Sequence, residues 1–178
     1  MHSILCLSGS LRAASSSTAV VNTICRTLAH EARFSRFDIG SLPHYNADLD
    51  PLPASVNALK AAIAEADGVV IVTPEYNYSV PGVLKNAIDW ASRPGYASVF
   101  KDKPVFIATV SGGALGGVRA QAHLKNVLGA VLARTFVWQE VAITHANAKI
   151  TDGHLVDDAT EAFLLEALHA FLRFADRS

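Results

Sequence analysis

The sequence predicts an α/β domain in which a parallel β-sheet is covered on both faces by helices. Three observations point to it. Short continuous apolar runs alternate along the chain with segments of helical period. Two of those runs, residues 69–72 and 104–110, are apolar on both faces, and 69–72 is β-branched throughout, as strands covered from both sides are. Finally, 178 residues with 51% hydrophobic and 17% charged side chains suit one globular domain spanning 1–178. A domain of that size buries roughly 70% of the surface its unfolded chain exposes, without metal or disulfide staples.

Taken in order, residues 4–7 form the first strand, closed at once by Ser8, Gly9 and Ser10, and residues 19–29 then recur at helical spacing. Residues 34–39 give a weaker second strand, followed by a Pro- and Asp-rich connection over 42–53. A helix is expected over 55–66, the third strand over 69–72 with its end at Pro74, and a helix over 82–91. The fourth strand, 104–110, runs into Ser111, Gly112 and Gly113, and 119–132 reads as a further helix. Residues 135–141 are the last strand, and 157–174 an amphipathic closing helix whose Asp157 and Asp158 suit its positive amino end. This alternation implies parallel pairing with helices on both faces. The sequence contains no internal repeat, low-complexity stretch or second domain.

Charge narrows the function classes. Fifteen Lys and Arg against sixteen Asp and Glu leave a net charge of −1. Without a basic excess or a Lys/Arg run, neither nucleic acid nor an anionic membrane surface is an expected partner. The apolar start is too short for a secretory signal, and every long hydrophobic segment carries periodic charges, so a cytoplasmic protein is expected. Cys6 and Cys25 fall in the first strand and first helix, where small thiols are ordinary core residues of a reduced protein. The seven histidines show neither H-E-x-x-H nor a Cys/His pair at metal-ligand spacing, and no G-x-S-x-G elbow follows a strand, so no metal site and no such hydrolase is expected.

In open parallel sheets, ligands lie beyond the carboxyl ends of the strands, so three post-strand loops draw attention. Residues 8–18 offer hydroxyls, Arg12 and a tight Gly turn before a helix, which are the parts of a phosphate site or, read plainly, a serine-rich helix cap. The P-loop pattern and G-x-G-x-x-G are both absent, so a grip on one phosphate monoester, as in flavin mononucleotide (FMN), fits better than a dinucleotide fingerprint. Residues 73–82 place Tyr76, Asn77 and Tyr78 between prolines, a rigid polar-aromatic rim for a flat heteroaromatic ring or a punctuated surface turn. Residues 111–119 carry four glycines, which permit positive φ and close backbone approach to a ligand, or make a flexible connection.

Gly9 to Arg12 with Ser15, the block 73–90, and the glycine loop running into Arg119, Ala120 and Gln121 together resemble the NADPH-dependent FMN reductase family over roughly residues 3–140. The resemblance implies a flavodoxin-like three-layer sandwich with a five-stranded parallel sheet of order 2-1-3-4-5. It implies that Ser10, Arg12, Ser15, Ser16 and Ser17 hold an FMN phosphate. By the same resemblance Pro74, Glu75, Tyr76 and Asn77 line the isoalloxazine, with Ser111, Gly112 and Gly113 closing its other side. Tyr78, Ser79, Gly116 and Arg119 then border the open face where substrate enters. Family members often carry Asn where this chain has Ser17, so one phosphate contact differs.

The activity implied is an oxidoreductase: FMN takes a hydride from NADPH or NADH and passes electrons to quinones, free flavin, azo compounds or oxidised metal ions. One open face serving donor and acceptor in turn implies ping-pong turnover. A flavodoxin-like electron carrier is the alternative, but such carriers are usually strongly acidic and this chain is not. A homodimer or homotetramer is expected from Val83, Leu84, Ile88 and Trp90, which exceed what one helix face needs to cover a sheet, although Trp90 could instead plug the core.

Overall fold

The computed structural model describes residues 1–176, and the last two residues of the domain expected over 1–178 lie outside them. Its sheet consists of β1 (His2–Ser8), β2 (Ala32–Arg36), β3 (Gly68–Thr73), β4 (Pro104–Val110), β5 (Arg134–Thr135) and β6 (Val141–Ile143). The order is β2-β1-β3-β4-β5, β6 also pairs with β4, and every pairing is parallel. This is the expected 2-1-3-4-5 arrangement. It sets the carboxyl ends of β1, β3 and β4 side by side at one edge.

The strand pleat explains the layers. Ile4 and Cys6 face α1 (Ser16–Thr27) and α6 (Asp158–Ala175), while Leu5 and Leu7 face α2 (Ala54–Glu65), α3 (Gly82–Ala91) and α4 (Val118–Ala130). All six residues of β3 are buried, which is why that stretch lacks alternation in sequence. The closing helix starts where its acidic residues suggest. Asp157 caps it by accepting from the Thr160 amide at 3.0 Å and from the Thr160 hydroxyl, and these bonds hold its carboxyl below the ordinary value.

Three expectations need correction. The second strand lies at Ala32–Arg36 rather than 34–39, because Asp38 accepts from Gly40 N–H at 2.9 Å and nucleates a 3₁₀ turn, Ile39–Ser41. The last strand is not continuous over 135–141. Phe136 N–H still donates to Val105, but the chain then swings outward, leaving Val137 88% exposed, before β6 rejoins β4. Gln121 of α4 supports the rejoining strand by donating from Nε2 to Val141 O at 3.1 Å. A short helix α5 (Ala146–Lys149) and a hairpin of β7 (Ile150–Thr151) and β8 (His154–Leu155) have no counterpart in the expected pattern. Thr23 of α1 secures the hairpin by accepting from Leu155 N–H at 2.9 Å.

On α3 the structure takes the second of the two readings left for Trp90. Leu84, Ile88 and Trp90 are buried within this one chain. Trp90 Nε1–H donates to Pro43 O at 2.8 Å, and Asn86 holds the same segment through Tyr45 N–H and Pro43 O. The connection over 42–53 folds back on α3 and covers the apolar surplus from which a partner was expected.

Candidate functional site

The first loop begins with a residue that only glycine can be. Gly9 N–H donates to Val72 O at 2.8 Å, and a Cβ there would lie 2.1 Å from Thr73 Oγ1. The chain thus passes tightly over the end of β3 before Ser10, whose Oγ lies 3.2 Å from Tyr76 OH and accepts from Arg12 N–H. Ser15 caps α1, its Oγ accepting from Thr18 N–H at 3.2 Å. Ser17 sits in the first turn, 1% exposed, and its Oγ is buried without a hydrogen-bond partner among the described residues.

These hydroxyls and the first-turn amides of α1 surround a cavity of about 180 Å³. Ser10, Arg12, Ser15, Ser16 and Ser17 line one wall. Pro74, Glu75 and Tyr76 line another, with Ser111, Gly112 and Asn147 opposite. The volume is below the roughly 300 Å³ of a small whole-ligand pocket. It suits the anionic end of a ligand whose remainder lies over the rim. A buried hydroxyl without a partner, a helix amino terminus and a guanidinium form a donor set for phosphate, and they fit the monoester of FMN.

The second loop is a tight hairpin. Tyr76 and Ser79 exchange backbone hydrogen bonds of 3.0 Å, and Asn77 and Tyr78 between them have φ of 50° and 64°. This is a two-residue turn of the I′ kind, natural for Asn but strained for Tyr. Asn77 and Tyr78 therefore stand on the rim rather than in the anion cavity. Tyr78 is 66% exposed, with the Arg119 guanidinium 4.4 Å above its ring. Ser79 Oγ meets His123 Nδ1 at 3.0 Å.

Glu75 has a task that sequence reasoning missed. Its carboxylate accepts from the backbone N–H of Arg119 at 3.0 Å and of Ala120 at 3.1 Å, and from Arg119 Nη1 at 3.3 Å. Gly117, at the head of α4, has no side chain to cap with, so Glu75 caps that helix from a distance. Arg119 is correspondingly tied to the second loop through Glu75 and Tyr78.

In the third loop positive φ is confined to Gly116 and Gly117, at 61° and 85°. A Cβ on Gly116 would meet the Ala142 carbonyl carbon at 2.8 Å, so this glycine serves the packing of the loop against β6. Gly113 N–H turns in to Ser111 Oγ at 3.1 Å, and Gly112 faces the Asn147 side chain. Asn147 is the lining residue that sequence reasoning did not find. It lies on α5, the four-residue helix just after β6, and only its place beyond a strand end could have signalled it.

Away from this edge, Cys25 is not an ordinary core thiol. It is partly buried beside Cys6, and the hydrogen bond from Cys6, aided by Arg36, lowers its pKa to about 6, while Cys6 is raised. Among the described residues no cluster of three His, Cys, Asp or Glu is placed to hold a metal ion, and no helix is long and apolar enough to cross a membrane.

A family model described as NADPH-dependent FMN reductase matches residues 2–148. A 2-hydroxy-1,4-benzoquinone reductase from Burkholderia sp is 41% identical over 158 residues, covering 88% of this chain and 86% of that protein. A quinone reductase from Escherichia coli (strain K12) is 39% identical, covering 98% and 95%. Among solved structures, the flavoenzyme NAD(P)H:(acceptor) oxidoreductase FerB from Paracoccus denitrificans superposes with a TM-score of 0.91 at 37% identity, over 99% of this chain and 98% of that one.

Proposed function

The chain belongs to the NADPH-dependent FMN reductase family, and from that premise we propose that its three loops hold FMN and that it moves electrons from NAD(P)H to a quinone-type acceptor. The observation that supports this reading most directly is the anion cavity at the head of α1, with the partnerless Ser17 Oγ inside it. Bound there, FMN would supply the hydride chemistry that no side chain of this site offers.

What the chain itself does follows from its geometry. Ser10, Ser15, Ser16, Ser17 and Arg12 hold the phosphate end. Glu75 fixes the second loop to α4, so the Pro74–Tyr76 wall keeps its place beside Ser111 and Gly112. The exposed rim of residues 76–79 and the turn at Gly113 leave one mouth for donor and acceptor, which enter in turn. The aromatic Tyr76 and Tyr78 on that rim favour a flat, conjugated acceptor, and the benzoquinone and quinone reductases among the relatives agree with a quinone. A second copy of the chain, in a homodimer or homotetramer, would cover the exposed Leu11, Tyr78 and Leu115 around the same loops. A cytoplasmic location completes the proposal, supported by two cysteines that remain free.

The test is the absorption spectrum of the purified protein under anaerobic conditions. A bound flavin bleached by one equivalent of NADPH is expected, and Arg12→Ala should weaken FMN binding by about 1.5–3 kcal/mol, the range for a charge-assisted hydrogen bond. Double-reciprocal plots for NADPH and a benzoquinone should be parallel. A colourless protein that takes up no FMN would overturn the reading, and intersecting lines would remove the shared mouth.

A further inference from the structure

The two cysteines of this chain, Cys6 on β1 and Cys25 on α1, are brought together by the packing of α1 on the sheet. Their sulfurs share a hydrogen bond, yet their surroundings differ. Cys6 is 1% exposed on the strand, while Cys25 is only partly buried. Strand register sets Arg36, the last residue of β2, beside Cys6, and its guanidinium hydrogen-bonds Cys25. Three elements thus meet at one pair of sulfurs, and none of the three residues belongs to the wall of the phosphate cavity.

Arg36 is held in place from the helix that it faces. Its Nη1–H donates to Asn22 Oδ1 at 2.6 Å, and Asn22 Nδ2 donates in turn to Gly153 O at 2.8 Å. Asn22 and Cys25 are one helical turn apart on α1, so the brace and the thiol share a face. Among the described residues Arg36 has no carboxylate at ion-pair distance, and nearby Asp38 keeps its Oδ1 on the Gly40 amide. The negative partner of this guanidinium is the Cys25 sulfur. The bond from Cys6, and after it Arg36, lowers the Cys25 pKa to about 6 against the opposing effect of burial, so Cys25 is a thiolate at neutral pH. The same bond, with burial, raises Cys6, which keeps its proton. Cys6 and Arg36 also line a cavity of about 470 Å³ at the carboxyl ends of β1 and β2, which gives a small oxidant room to reach the pair.

We propose that this pair is a peroxide-responsive dithiol, in which a hydroperoxide oxidises Cys25 and Cys6 then closes an intramolecular disulfide with it. In the first step the Cys25 thiolate attacks the O–O bond, an S–O bond forms, and the outer oxygen leaves as hydroxide or alkoxide, which takes a proton from water. Arg36 stands beside the charge that departs. In the second step the Cys6 sulfur attacks the Cys25 sulfur, the S–O bond breaks, and hydroxide leaves with the Cys6 thiol proton as water. The two sulfurs lose two electrons in all, and the peroxide is reduced to two waters or to water and an alcohol. Position assigns the roles. Cys25 is the sulfur that is charged and reachable, and Cys6 is the one that is buried, protonated and in contact with it. Oxidation removes the charge that Arg36 faces and ties α1 to β1, the two elements that the phosphate loop joins. None of these steps uses the flavin, so the outcome is independent of the reductase reading.

The experiment treats the full-length protein as purified, reduced and freed of reductant, with hydrogen peroxide at neutral pH, and reads free thiols, intact mass and linked tryptic peptides. Wild type should lose both thiols and the mass of two hydrogens within one chain, and dithiothreitol should restore both. Cys6→Ala should stop at a Cys25 sulfenic acid that dimedone captures, and Cys25→Ser should keep its remaining thiol. Arg36→Gln should move the pH midpoint of Cys25 alkylation up by about one unit. A wild type that retains both thiols, a disulfide that joins two chains, or a Cys25 sulfenic acid that persists in wild type would each overturn the proposal, and an unmoved midpoint in Arg36→Gln would overturn the part given to Arg36.

Discussion

Ser17→Ala tests the phosphate site through two effects of opposite sign. In the structure Ser17 Oγ is buried, 1% of the residue is exposed, and the hydroxyl has no partner among the described residues. An unsatisfied buried hydroxyl costs about 1–3 kcal/mol, so removing it should stabilise the flavin-free protein by about 1 kcal/mol or more. The better helix propensity of Ala in the first turn of α1 adds a few tenths, on the order of 0.5 kcal/mol. For a chain of this length each kcal/mol raises Tm by about 2–4 °C. If the same hydroxyl donates to a phosphate, its loss weakens FMN by about 1.5–3 kcal/mol, or about 10- to 150-fold. FMN at one hundred times the wild-type Kd stabilises wild type by about 2.7 kcal/mol, but a variant bound one hundredfold more weakly by only about 0.4 kcal/mol. The two melting curves should therefore change order when FMN is added, the variant melting higher without it and lower with it. Differential scanning calorimetry on both proteins, with and without FMN, reads this directly. A variant that melts below wild type without FMN, or that binds FMN equally well, would refute the assignment of Ser17 to the phosphate.

Three further outcomes follow from the same loops and from the thiol pair. Gly9→Ala forces a Cβ to within 2.1 Å of Thr73 Oγ1 while the Gly9 amide is held by Val72, so overpacking should cost about 1–3 kcal/mol or more and lower the urea midpoint by about 1 M; an unchanged midpoint would show that the crossing of β3 can relax. Glu75→Ala removes the charge-assisted bonds to the Arg119 and Ala120 amides and should cost about 1.5–3 kcal/mol, with Glu75→Gln costing less, as thermal melts would read; equal losses in both would mean that the negative charge, not the bond geometry, holds α4. Cys25, lowered to about 6 by its bond from Cys6 and by Arg36, should react with iodoacetamide at a rate that rises from pH 5 to 7 and then levels, since its thiolate forms below the ordinary thiol range. Cys6→Ala should move that midpoint upward, and a midpoint near the ordinary value in wild type would dismiss the pairing.

The parts of the fold that sequence made legible are those in which one local pattern decides the outcome. Residues 69–72 are apolar without alternation because β3 is covered on both faces, and their β-branched side chains and the Pro74 stop mark the run as a strand. The split of the last strand was not legible. Residues 135–141 have strand composition, yet Val137 swings out, and the rejoining strand is held by Gln121, a residue from the preceding helix that reaches Val141 only in the folded chain. For Trp90 the sequence left two readings open, and the structure bears out the one that puts it in the core. Its helix carries more apolar surface than the sheet can cover, and the cover comes from the Pro- and Asp-rich connection around Pro43, which has no periodicity to announce it.

The candidate site divides along the same line. Gly9, Ser10, Arg12, Ser15 and Ser17 could be read together because they lie within nine residues of one another, and a strand, a glycine and a hydroxyl-rich helix start bring them to one cavity by local geometry alone. Glu75 and Arg119 are 44 residues apart, and an acid beside a predicted flavin site reads as a ligand or a base. Their pairing shows another need. Gly117 must adopt positive φ for α4 to start where it does, a glycine cannot cap its own helix, and the missing acceptor is supplied by the neighbouring loop. The requirement that frees the backbone at Gly117 therefore ties the Glu75 carboxylate to the head of α4, although Glu75 also lines the cavity. The exposed rim is formed by Tyr76, Asn77 and Tyr78, the last held at positive φ by the turn and backed by Arg119. Substitutions on that rim should change which acceptor is reduced, whereas substitutions at Glu75 should act through stability.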